Sequence, residues 1–146
     1  MTALTRPVIP TRHELGPAGK ARVAVEVLAT YARVRWLLRR EDARGAVARL
    51  RAAAAGAPPL DPREARIASV RLAWVVKKVI TPLPADTRCL FSSLTLLAVL
   101  ARRGIPVTLV IAVRPQPFAA HAWVERDDGR PLLDPGDADF ERLVEL

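Results

Sequence analysis

One cysteine in 146 residues excludes an internal disulfide. No basic, then apolar, then small-residue leader opens the chain, so the sequence predicts a reduced, cytoplasmic protein. Long apolar runs are missing too. The longest, Cys89 to Ala101, is broken by Ser92, Ser93 and Thr95 and falls short of the roughly 18 residues that a membrane span needs. With two histidines and one cysteine there is no metal-ligand spacing, and the few glycines form no phosphate-cradling loop. Aromatic side chains are scarce, at 5%, and no strand pairs them as a base-stacking surface requires, which argues against nucleic acid. What is abundant is arginine. The net charge of +8 points to an acidic partner or substrate, although the cations are spread along the chain rather than gathered in one tract.

About half of the residues are apolar, enough for one domain with its own core. Residues 1–17 read as an arm with three prolines and no apolar period; His13 lies within it and is expected to be solvated. From Ala18 to Arg40, Val23, Val27, Tyr31, Val34, Leu37 and Leu38 recur at helical spacing. Glu41 to Ala55 predicts a second helix with Val47 and Leu50 inward, stopped by Gly56-Ala57-Pro58-Pro59. Asp61, Pro62 and Glu64 are a helix-start signal. The third helix they open carries Ile67, Val70, Leu72, Val75, Val76 and Val79 and is expected to break at Thr81-Pro82-Leu83-Pro84. Trp36 and Trp74 are expected in the core or a groove. A fourth helix runs from Thr87 to Arg103, with basic residues at its negative end and Gly104 closing it. The period then becomes extended. Val107 to Val113 predicts a strand covered on both faces, and Asp127-Asp128-Gly129-Arg130 between two extended runs predicts a hairpin. The fold class is therefore α+β, with a helical part (18–84) followed by one cysteine-bearing helix on a small antiparallel meander (85–146).

Three residues carry the chemistry. Cys89 starts the fourth helix, where unpaired amides and the positive dipole end favour a thiolate. His121 follows on a strand and Asp134 on the next. If Asp128-Gly129 is a two-residue loop, Asp127 faces Arg130, Trp123 faces Asp134, and His121, Trp123 and Asp134 share one face. Asp134 is then a diagonal neighbour of His121, roughly 7–8 Å away and within reach of its imidazole. A loop one residue longer would turn the aspartate to the other face. Singly, each residue has a plain structural explanation; the order and placement of nucleophile, base and orienting carboxylate together favour catalysis. Ser92 and Ser93, one turn beyond Cys89, either line its pocket or simply pack.

Several stretches taken in combination are similar to the transglutaminase-like leader peptidases of lasso-peptide biosynthesis. They are Cys89-Leu90-Phe91-Ser92-Ser93-Leu94, Arg102-Arg103-Gly104-Ile105-Pro106, Val110-Ile111-Ala112-Val113, Pro117-Phe118-Ala119-Ala120-His121-Ala122-Trp123-Val124-Glu125 and Leu133-Asp134. Ala112 stands where that family often has glycine. The resemblance covers Thr87 to Leu146 and implies a papain/transglutaminase-like core. It further implies that Cys89 attacks a leader–core peptide bond, that His121 serves as base and acid, and that Asp134 orients His121. Cleavage would fall just after the leader, usually behind a penultimate threonine, without a cofactor. Nothing before Cys89 reads as the stranded leader-recognition module of fused members, so the resemblance is to the split form. That form implies a separate recognition protein that captures the precursor's leader, and a macrolactam synthetase acting next. Two rival functions remain open at this point: a transglutaminase-like acyl transferase with the same triad, and a basic helical adaptor in which Cys89 is structural.

Overall fold

A computed structural model describes residues 17–83, 88–133 and 140–146. Residues 1–16 of the predicted arm, His13 among them, and Asp134 lie outside the described residues, and Pro17 already belongs to the first helix. Four helices come first, α1 (Pro17–Arg40), α2 (Ala43–Ala53), α3 (Pro62–Ile80) and α4 (Arg88–Arg102). Strands β1 (Val107–Pro115), β2 (Phe118–Arg126) and β3 (Glu141–Glu145) follow and form one antiparallel sheet in the order β2-β1-β3. The α+β expectation is met.

α4 is the hub. Leu94, Leu96, Leu97, Ala98, Val99 and Leu100 are all buried, as are Ser93 and Thr95, the all-round burial of a central helix. α1, α2, α3, β1 and β2 all pack against it. Each buried leucine contributes about 1.5–3 kcal/mol of transfer free energy, so this apolar run anchors the fold. The Thr95 hydroxyl is satisfied inside the helix, donating to the Phe91 carbonyl at 2.7 Å. α1 meets α4 through Val27, Tyr31 and Val34, the spacing read from sequence. α2 begins two residues later than expected because Asp42 caps it, its side chain accepting from the Gly45 amide at 2.8 Å.

The apolar residues of α3 divide between core and surface. Asp61 caps the helix, accepting from the Arg63 amide at 3.2 Å, and the buried stripe is Ser69, Leu72, Ala73, Val76 and Ile80. Val70 is 58% exposed and Ile67 lies outward with it. α3 carries two apolar stripes, and the one holding small Ser69 and Ala73 permits the closer backbone approach. Trp36 and Trp74 are likewise outward, with Arg40 over the first ring at 4.5 Å and Lys78 over the second at 4.9 Å.

The end of α4 is fixed by two devices. The Ile105 amide donates to the Leu100 carbonyl and the Gly104 amide to the Ala101 carbonyl, each at 3.0 Å. This is the bond pair of a Schellman cap, with Gly104 at φ +73° and Ile105 buried. Arg102 and Arg103 also reach back to α1. Arg103 grips Glu26 in a fork of 2.9 and 2.7 Å, and Arg102 adds a bond of 3.2 Å. Hydrogen bonding from Arg103 holds the Glu26 carboxyl below its ordinary 4.5, against the upward push of partial burial and with help from both arginine charges. A depressed folded pKa stabilises above the unfolded value and loses that contribution as pH falls through the folded one. Glu26→Gln should therefore lower stability by about 1–2 kcal/mol at neutral pH. Urea titrations at about pH 7 and pH 3 check this, since the gap between wild type and variant should close at the acid end.

β1 is covered on both faces, as its sequence predicted. Val107, Leu109 and Ile111 join the helical core, and Val110 and Ala112 form a second cluster with Trp123. It extends to Pro115 and turns directly through residues 116–117 into β2, where Pro115 pairs with Phe118. The third strand is not the run after Asp128-Gly129. β3 pairs with the other edge of β1, through a bulge that leaves Leu143 63% exposed.

The Asp-Gly turn has three loop residues, not two. Glu125 bridges Pro131, the Arg126 amide donates to the Arg130 carbonyl at 3.0 Å, and the Leu132 amide donates to the Val124 carbonyl at 2.8 Å. A two-residue I′ loop needs positive φ at both central residues. Only Gly129, at φ +81°, has it. The Asp128 carboxylate instead accepts from the Arg126 guanidinium and, at 3.1 Å, from the Arg130 amide, which hold its pKa down to about 2. Pairing is shifted by one residue from the expectation that set Trp123 opposite Asp134, so the register no longer argues for Asp134 facing His121.

Candidate active site

Cys89 is the second residue of α4. The first four amides of a helix have no intrahelical carbonyl to bond, so the thiol stands among donors at the positive end of the dipole. Its side chain is half-buried and packs against the helical core. Ser93 lies one turn further on the same helix face. Its hydroxyl is fully buried and donates to the Ala122 carbonyl at 3.1 Å. Packing into β2 thus has a specific polar anchor there.

That bond says where the helix lies. The Val124 carbonyl is spent on Leu132, away from β1. Carbonyls two residues apart point the same way along an antiparallel strand, so the Ala122 carbonyl also faces the outer edge of β2. Ser93 approaches it from that edge. The Cys89–Ser93 face of α4 is therefore laid along the outer edge of β2 at the residue next to His121.

His121 points to the sheet face opposite the one Ala122 and Val124 give to the core. Its ring lies 5.9 Å from the Trp123 ring and 5.7 Å from the Phe140 ring, tilted by 32° and 45°. The shared face of His121 and Trp123 agrees with the sequence expectation.

Two residues without an assigned role belong to this face. Glu125, only 7% exposed, accepts from the Trp123 indole N–H at 3.0 Å. Arg142 of β3 donates to both carboxylate oxygens of Glu125, to Oε2 at 3.1 Å, and lies over the Trp123 ring at 5.9 Å. Burial pushes the Glu125 carboxyl up; the Arg142 and Trp123 hydrogen bonds and the Arg142 charge outweigh it and hold the group ionised below its ordinary range. The alternation His121, Trp123, Glu125 could have revealed the glutamate. Arg142 arrives across a non-local strand pairing that no short-range signal announces.

Residues 27–145, more than half of the chain, match the model of the transglutaminase-like superfamily. The chain belongs to that superfamily. The match begins within α1, so it takes in the helices before Cys89 as well as the segment from Thr87, in keeping with the single core that α1 to α4 share with β1 and β2. No curated protein and no solved structure matches the chain. The cysteine-bearing helix α4 packs on the small antiparallel sheet, with Cys89 at its start and His121 on β2, in a fold of the cysteine peptidase or acyltransferase type. Among the described residues no helix is long and apolar enough to cross a membrane.

Proposed function

We propose that the chain is a cysteine peptidase that removes the leader from a ribosomally made lasso-peptide precursor. One observation carries the chemistry: the turn of α4 that bears Cys89 is anchored through Ser93 to the carbonyl of Ala122, next to His121. The Cys89 thiolate attacks the scissile carbonyl carbon, and the free amides of the first turn of α4 donate to the oxyanion. His121 protonates the leaving amine of the core peptide as the C–N bond breaks. It then takes a proton from water, which attacks the acyl-enzyme and releases the leader with a free carboxylate. Asp134 orients the imidazole, a role supported by the Leu133-Asp134 motif alone. No cofactor enters this scheme. The protein acts in the cytoplasm, and a macrolactam synthetase takes up the released core.

A separate recognition protein delivers the leader in this reading. Residues from Lys20 to Arg51 are its docking region, supported by the outward Val25, Leu28 and Trp36 of α1 among arginines. Tethering the leader raises the local concentration of the scissile bond to about the millimolar range. The enzyme alone should therefore cleave the precursor slowly, and adding the recognition protein should accelerate it at least about tenfold. Mass spectrometry of the precursor at matched protein concentrations reads both rates. Equal rates would mean that this chain binds its leader unaided. Added primary amines separate hydrolysis from acyl transfer, since a transferase would yield the amine adduct of the leader.

A further inference from the structure

We infer that Glu125 is a positioning residue for His121, acting through the Trp123 indole and clamped in turn by Arg142. This rests on reading Cys89 and His121 as a working pair. The argument starts from the cross-strand row His121, Ala112, Arg142. Ala112 is buried and contributes a single methyl to this face, so Trp123, Glu125 and Arg142 can meet above the middle strand. An indole has one donor. Here it is spent on Glu125 at 3.0 Å, which fixes the in-plane rotation of a ring that is itself buried. The imidazole lies beside that ring and beside Phe140, with ring centroids 5.9 and 5.7 Å away.

Glu125 could not remain charged at this depth alone, because burial penalises a carboxylate. Arg142 supplies the countercharge from β3 and is itself held by Glu145 at 2.9 Å. Arg114 lies over the Phe140 ring at 5.1 Å. Among the described residues, Glu125, Arg142, Glu145 and Arg114 are charged groups set around the rings beside His121. The ion pair reaches across the middle strand and ties β3 to the wall beside the imidazole. Groups that orient a metal-bound histidine cost about 10–100-fold when removed, and a loss of that order is expected from a residue that holds His121 through Trp123.

The test reads the Cys89–His121 pair without any precursor. The rate of iodoacetamide alkylation of the lone cysteine is followed against pH in wild type, His121→Ala, Trp123→Phe, Glu125→Ala and Glu125→Gln, each checked for a cooperative melt. A thiolate supported by an imidazolium alkylates at pH values well below the ordinary cysteine pKa of about 8.5, so His121→Ala should move the acid limb up. Glu125→Ala and Trp123→Phe should move it the same way by about one pH unit. Glu125→Gln, whose amide oxygen still accepts from the indole, should stay near wild type. With the precursor, Glu125→Ala and Trp123→Phe should lose about 10–100-fold in kcat with KM changed less than about twofold. If Glu125→Ala fails to fold, Trp123→Phe and Glu125→Gln decide by the same readout. Wild-type profiles for Trp123→Phe and Glu125→Ala beside a shifted His121→Ala would overturn the positioning role and leave the proposed pair standing. An unshifted His121→Ala would remove the pair, and this inference with it.

Discussion

Cys89→Ala and His121→Ala should each abolish precursor cleavage while leaving the fold intact. In serine triads, which work as a unit, removal of the nucleophile or its base alone costs on the order of 10⁶ in turnover, about as much as removing the whole triad. Loss of that size requires that the protein survive the substitution, and the surroundings of both residues allow it. Cys89 is half-buried in the first turn of α4, where alanine is a good helix former and removes one sulfur atom of volume. His121 leans on two rings that keep other partners: Trp123 retains Glu125, and Phe140 retains its contact with Arg114. The check is mass spectrometry of precursor incubated with each variant, alongside thermal melts of both. Cleavage by folded Cys89→Ala at a wild-type rate would end the acyl-enzyme reading. Loss in Cys89→Ala with full activity in His121→Ala would keep the nucleophile and reassign the base. The adaptor alternative predicts a third pattern, a thiol that alkylates slowly and indifferently to His121.

The parts of this molecule legible in its sequence are those fixed by local physics. α1, α3 and α4 are announced by apolar spacing, α3 by its cap and α4 by its closing glycine as well. Gly104 was legible because only a left-handed residue closes such a helix into a Schellman cap. Two kinds of feature were not. One is the choice between local solutions of equal appeal. Two apolar stripes compete on α3, and the Asp-Gly turn admits either a two- or a three-residue loop. Packing of Ser69 and Ala73 settles the first, and the bonds of the Asp128 carboxylate settle the second. The other is non-local pairing. Glu141 to Glu145 has too broken an alternation to announce a strand, because the bulge at Leu143 throws its register, and its partner lies some thirty residues away on the far edge of β1. For the site, Cys89 and His121 could be picked out by order and element end. The one-residue shift of the hairpin removes the geometric argument for Asp134, which lies outside the described residues, and the Glu125–Arg142 pair depended on β3.

Gly104→Ala should be among the most damaging single substitutions in the chain, although it lies far from the proposed chemistry. Two costs add. At φ +73° an alanine carries a left-handed backbone, worth roughly 1–2 kcal/mol. Its Cβ would also stand 2.1 Å from the carbonyl oxygen of Pro58 and 2.8 Å from the carbonyl carbon. Those are backbone atoms of the segment joining α2 to α3, so relief requires moving that segment away from the end of α4. Together the two should exceed about 3 kcal/mol, a fall of about 10 °C in melting temperature for a chain of this size. Gly56→Ala is the internal control. Its φ of +92° is as strained, but no atom lies within 4 Å of the added Cβ, so it should lose only the backbone part, about 1–2 kcal/mol. Thermal melts of the two variants side by side isolate the contact with Pro58; equal losses would mean that the contact is not made in solution. At temperatures where Gly104→Ala is still folded its cleavage rate should match wild type. Gly104 closes the far end of α4, a helix of 15 residues that places it roughly 22 Å from the turn bearing Cys89, and the anchor of that turn is Ser93 on Ala122, which the cap does not touch.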